Sequence, residues 1–188
     1  MSFGQPSEHN PWALDEEQSR PYIQRALEAG INFFDTADIY GCGQSECILG
    51  QALAGRRHQV VVATKFGETF DEQTRRPTEE ELTPAYIRHA CEASLRRLNT
   101  DYIDLYQIHW PNWEIPLAET LEALERLREQ GKIRAIGVSN FGVRDLSDLL
   151  TVGRCEVNQL PYSLLSRAIE YEIMQRARHQ RQHIVLPE

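Results

Sequence analysis

Short apolar runs alternate along the chain with longer stretches whose apolar residues recur at helical spacing. Ile31 to Phe34 is a run of strand length that ends abruptly at Asp35, and it predicts a buried strand. A glycine-rich turn containing Tyr40 follows, and Ser45-Glu46 then leads into Ile48-Leu49 and Ala52-Leu53, which line one face of a helix. Gln59 to Lys65 is a β-branched, apolar strand closed by the lysine, and Glu68 to Thr78 reads as a polar loop. Thr83 and Pro84 are an N-cap and first-turn proline for a helix facing inward through Ile87, Cys91, Leu95 and Leu98. Asp101 to His109 is the next strand. A helix opening at Pro116-Leu117 carries Leu117, Leu121, Leu124 and Leu127 on one face and stops at Gly131.

Lys132 to Val138 predicts a further strand, closed by Ser139-Asn140, and 143–151 a short helix through Leu146, Leu149 and Leu150. Cys155 to Gln159 predicts another strand, broken by Leu160-Pro161, then a helix from Arg167 to His179 and a strand beginning at Ile184. Near the start, Pro21 is tolerable only at a helix beginning, which places the first helix at Arg20 to Ala29 with Ser19 as N-cap and Gly30 as its stop. Met1 to Gly4 is too short to assign, and could be the tail of a first strand.

Such alternation of strand and helix predicts parallel strands with helical crossovers. No Gly-x-Gly-x-x-Gly turn follows a strand, which argues against a doubly wound nucleotide fold and for an α/β (β/α)8 barrel of the TIM type. In that fold the reactive residues come from the C-terminal ends of several strands. Asp35, Lys65, His109, Ser139-Asn140 and Gln159 all hold such ends. The chain has 188 residues, against about 250 in a typical full barrel. The expectation is therefore one incomplete barrel domain over residues 1–188, of about six or seven βα units, without the last strand and helices. Its unpaired edges would favour self-association.

Composition narrows the partners. The net charge is −8 with no block of Lys and Arg, so neither nucleic acid nor an anionic membrane surface is an expected partner. No apolar run approaches the length of a bilayer span, and the N-terminus lacks the pattern of a secretory signal. The four cysteines, Cys42, Cys47, Cys91 and Cys155, form no Cys-x-x-Cys pair, which suits reduced, packing thiols and a cytoplasmic location. His179 and His183 straddle a helix end and a strand start, too far out of phase to share a metal, and no metal site is expected.

The ordered segments Phe34-Asp35-Thr-Ala-Asp-Ile-Tyr40, Ala63-Thr-Lys65, Asp104-Leu-Tyr-Gln-Ile-His109-Trp110, Gly137-Val-Ser139-Asn140-Phe141 and Glu156-Val-Asn-Gln159 together resemble the aldo-keto reductases. The resemblance runs from Gly30 through Leu186. It implies that Asp35, Tyr40, Lys65 and His109 are a catalytic tetrad. It further implies that Ser139, Asn140 and Gln159, with Asp35, bind a nicotinamide cofactor, NADPH or NADP with NADH not excluded. Tyr40, His109 and Trp110 would face a small-molecule carbonyl substrate. Segments that grip the pyrophosphate and the 2′-phosphate in the family would lie beyond Glu188.

The chemistry is coherent apart from the name. Reducing a carbonyl by hydride requires a proton donor at the developing alkoxide. Tyrosine, with an ordinary pKa of about 10, would need the charge of Lys65, braced by Asp35, to favour its anion, while His109 would orient the carbonyl. Taken singly, each of the four has an ordinary structural reading, as a packed ring, a helix cap, a solvated strand end or a core histidine. As an ordered set they point to a site inherited from active reductases. A second reading is a non-catalytic or regulatory reductase-like module, or an inactive fragment. A metal-dependent barrel hydrolase would need His-x-His or clustered carboxylates at strand ends, and neither occurs.

Overall fold

The structure, a computed structural model, describes residues 3–4, 6, 11–71, 74, 77–175 and 183–185. Six strands form one parallel sheet: β1 (Phe33–Asp35), β2 (Val61–Phe66), β5 (Ile103–Ile108), β6 (Ile133–Ser139), β7 (Val157–Gln159) and β8 (His183–Val185), in that spatial order. Between β2 and the next helix, β3 (Glu68–Phe70) and β4 (Pro77–Glu80) pair as an antiparallel hairpin. Accompanying the sheet are the helices α1 (Glu16–Glu28), α2 (Gln44–Ala52), α3 (Pro84–Leu98), α4 (Leu117–Glu129) and α5 (Val143–Val152). This is an incomplete (β/α)8 barrel, as the alternation predicts.

Parallel partners share a face and neighbours along a strand alternate, so the register sorts every side chain. Asp35 pairs with Ala63, Lys65 with Gln107, Gln107 with Gly137, and Ser139 with Gln159. These residues lie on one face of the sheet. The other face carries Val62, Phe66, Tyr106, Ile108, Ile136 and Val138, which pack into the main core. There they meet Ile87, Cys91, Leu98, Leu121, Leu124, Leu127, Leu146 and Leu149 of the helices. Tyr106 stacks on Phe66 with ring centroids 4.4 Å apart. Burial pushes the Cys91 and Cys155 thiols up to about 12, so both are packing residues held protonated.

Several local expectations are corrected. α1 begins at Glu16, capped by Asp15, whose side chain accepts from the Gln18 amide while Gln18 reaches back to the Asp15 amide. This capping box outweighs Pro21, which sits inside the helix, and Ser19 caps nothing but donates to the Leu14 carbonyl. The predicted stop is correct: Gly30 has φ +84, its N–H meets Leu27, and the Ile31 N–H meets Ala26. Ile31 to Phe34 is not buried, because β1 is an edge strand with Phe33 39% exposed. The polar stretch after β2 is the β3–β4 hairpin rather than a loop. β7 is shorter than expected, since Cys155 and Glu156 precede it. The expected helix from Arg167 opens as a 3-10 turn at Ala168–Glu170 with helical backbone at 173–175. Its remainder, including His179, lies outside the described residues, as do Met1 and Leu186. Phe3 makes one parallel bridge, to Leu14.

Candidate active site

The site is assembled on the sheet face opposite the core, where the strands end. Past β1 the chain still tracks β2, with the Thr36 N–H on the Ala63 carbonyl and the Asp38 N–H on the Lys65 carbonyl. The turn that follows carries Tyr40 over the strand ends. It is pinned by a buried hydrogen bond from the Thr36 hydroxyl to that of Ser45. Beneath it, Glu46 of α2 is fully buried between Arg97 Nε at 2.6 Å and the Thr64 hydroxyl at 2.6 Å. Breaking such a buried pair is costly, so the turn stands on a rigid base.

Lys65 Nζ is 2.6 Å from Asp35 Oδ2 and 3.0 Å from the Thr36 carbonyl. It lies 5.1 Å from the centroid of the Tyr40 ring. Tyr40 meets His109 edge to face at 5.7 Å. All four residues of the predicted tetrad therefore converge. Burial pulls the Lys65 ammonium below the ordinary lysine range, against the pull of Asp35. Burial, then the charges of Asp35 and Glu68, push the Tyr40 phenol up to about 12. Lys65, paired with Asp35, therefore faces a phenol whose surroundings favour the neutral form.

The second set is tied to the first. Asn140, with φ +64, donates from Nδ2 to the His109 carbonyl at 3.0 Å and to Ser139 Oγ at 3.1 Å. Gln159 Nε2 donates to Asp35 Oδ2 at 3.1 Å. Gln107 is a site residue that the sequence pattern does not single out. Its Nε2 lies 3.3 Å from Gln159 Oε1 and 3.5 Å from Asp35 Oδ1. Gly137 makes room for it, since a Cβ there would come within 2.8 Å of Gln107 Cγ. A glutamine inside an apolar strand, in phase with His109 two residues on, was the available signal. Glu68 is a second unforeseen neighbour: its Oε2 is 2.8 Å from His109 Nδ1, although the approach misses hydrogen-bond geometry. Trp110 stacks on His109 at 6.3 Å, as a pocket wall would. Trp113 is largely exposed and donates from its indole N–H to Asp145 at the start of α5.

A nicotinamide carboxamide needs one donor and acceptors for its own amide hydrogens. The Ser139 hydroxyl can donate, and Gln159 Oε1, which accepts once from Gln107, keeps a second lone pair. The donor set fits such a group.

Comparison with known proteins bears on the family and the fold. The model of the aldo/keto reductase family matches residues 1–185. The chain belongs to that family. It is 41% identical over 172 residues to an NADH-specific methylglyoxal reductase of Escherichia coli, covering 86% of this chain and 53% of that protein. The holo form of the aldo-keto reductase AKR11C1 from Bacillus halodurans superposes with a TM-score of 0.88 at 36% identity, covering 99% of this chain and 60% of that one. An aldo/keto reductase from Klebsiella pneumoniae in complex with NADP and acetate superposes at 0.79 with 35% identity, covering 90% and 56%. The chain spans about half the length of the curated relatives it matches.

Proposed function

We propose that this chain carries the catalytic face of a reductase that converts small aldehydes or ketones to alcohols, with Tyr40 as proton donor. The observation that carries the reading is the convergence of Asp35, Tyr40, Lys65 and His109 at the ends of three strands, β1, β2 and β5. A reduced nicotinamide, when bound, supplies the hydride. Ser139, Asn140 and Gln159 would hold its carboxamide. His109 donates to the carbonyl oxygen and orients it. Tyr40, held protonated by burial, delivers its proton to that oxygen as charge develops there. Lys65 then stabilises the resulting phenolate, kept in place by Asp35. NADPH is the cofactor favoured by the NADP-bound relative, and NADH remains an alternative because another relative is NADH-specific. The reaction is assigned to the cytoplasm. Among the described residues no helix is long and apolar enough to cross a membrane.

A second reading, a reductase-like module without turnover, draws on one observation. Asn140 and Gln159 both direct amide donors into the protein, to His109 and Asp35. NADPH titration by cofactor fluorescence, followed by turnover of wild type and Tyr40→Phe, separates the two. General acid catalysis contributes about 10²–10⁴-fold, so Tyr40→Phe should lose at least about 100-fold in kcat with cofactor affinity nearly unchanged. Equal turnover in the variant would overturn the assignment of Tyr40. Saturable binding without turnover in the wild type would establish the second reading.

A further inference from the structure

Glu68 stands directly beside His109 of the tetrad. It begins β3, immediately after the Phe66-Gly67 exit of β2, and its side chain is 30% exposed. One carboxylate oxygen stands 2.8 Å from His109 Nδ1, and the same charge acts on the Tyr40 phenol. Two residues that face the carbonyl oxygen are thus both within its field. The other charges around the site are balanced or withdrawn. Lys65 and Asp35 form a closed pair, and Glu46 is paired with Arg97 behind the turn. Asp38 is buried and pushed well above the ordinary carboxylate range by that burial. Among the described residues, no lysine or arginine contacts Glu68. The Glu68 carboxylate has only the His109 ring as a described ionisable contact, and it is partly open to solvent.

We infer that Glu68 is a specificity-determining residue, which biases this site toward uncharged carbonyl compounds and against 2-oxo acids. The inference rests on the reductase reading above. Like charges a few ångströms apart in a half-desolvated pocket repel strongly, whereas a neutral aldehyde of the same size feels no such penalty. The penalty falls on any substrate whose carboxylate adjoins the reacting carbonyl.

Methylglyoxal and glyoxylate test this, because each presents an aldehyde next to a second oxygen function and they differ in charge. kcat/KM is measured for both with saturating NADPH, in wild type, Glu68→Gln and Glu68→Asp. The wild type should prefer methylglyoxal. Glu68→Gln should narrow that preference by about tenfold, mostly through the KM for glyoxylate, and Glu68→Asp should retain it. In the wild type, raising salt from about 0.05 to 0.5 M should also narrow the preference by screening. A structural role for Glu68 would move both substrates together and would not respond to salt. Methylglyoxal turnover with an unchanged ratio in Glu68→Gln overturns the inference while leaving the reductase reading intact. If Glu68→Gln fails to fold, a wild-type ratio that does not respond to salt overturns it instead. Absence of turnover with both substrates in the wild type overturns the reductase reading itself, and this inference with it.

Discussion

Asp35 is the hub of the site. Its Oδ2 receives Lys65 and Gln159, and its Oδ1 faces Gln107 at 3.5 Å. The lysine is therefore braced beside the Tyr40 ring, and the surroundings of Tyr40 favour its neutral form. Asp38, two residues before Tyr40, has a different character. It is buried with Oδ1 unpartnered and its other oxygen 3.5 Å from the Tyr86 hydroxyl. Burial, reinforced by Glu46, raises its pKa well above the ordinary value of 3.8. Folding thus favours the protonated form. The unfolded chain releases this proton first as pH rises past about 4, so stability is lost above that point. Asp38→Asn removes the ionisation and should raise stability at pH 7. The gain should vanish below about pH 4, and urea unfolding at the two pH values checks it. Asp35, Tyr40, Lys65 and His109 were legible from sequence because each closes, or closely follows, a recognisable apolar run. Gln107 and Glu68 were not: Gln107 offered only the cue of a glutamine in phase with His109, Glu68 none, and their importance comes from neighbours 72 and 41 positions away in sequence, Asp35 and His109.

At the scale of the element, α1 shows how local signals compete. Pro21 lies five residues after Glu16, with no N–H to offer the Glu17 carbonyl, yet the helix runs through it. The Asp15 capping box and the glycine-terminated C-terminus hold both ends. Pro21 is exposed, so replacing it with alanine disturbs no packing. Pro21→Ala should stabilise the protein by about 1–3 kcal/mol, the interior proline costing about 3, as read by thermal unfolding. A proline start signal was the wrong guide here, because a cap that satisfies two amides outranks it. In contrast, Thr83 and Pro84 do open α3, with the Thr83 hydroxyl accepting from the Tyr86 amide. There the cap and the proline point to the same residue.

For the whole molecule, the two edges of the sheet and the loop after β7 set the behaviour. β1 is an edge strand with Ile31, Phe33 and Val61 exposed beside it, and Leu164 and Leu165 in the loop after β7 are 93% and 99% exposed. Apolar groups and unpaired strand edges of this kind favour association. The 188-residue chain should therefore sediment as a concentration-dependent oligomer, and Leu164→Ser with Leu165→Ser should shift it toward monomer. A compact monomer at all concentrations would refute this. The same exposure explains why Ile31 to Phe34 reads as a buried strand in the sequence and is not one here: an apolar run reports that a strand is apolar, not that both of its sides are covered.

What the sequence by itself determined is local and periodic: the alternation of strand and helix, the parallel barrel it implies, and the polar residues that end the strands. These follow from side-chain direction, which repeats every two residues in a strand and every 3.6 in a helix. Only the tertiary structure decided which of those residues meet, that Gln107 and Glu68 join them, and that Tyr40 is held as a neutral acid. Register brings Lys65 beside Gln107 and Gln107 beside Gly137. The state of a phenol depends on the sum of burial and distant charge, and that sum has no counterpart in the order of residues along the chain.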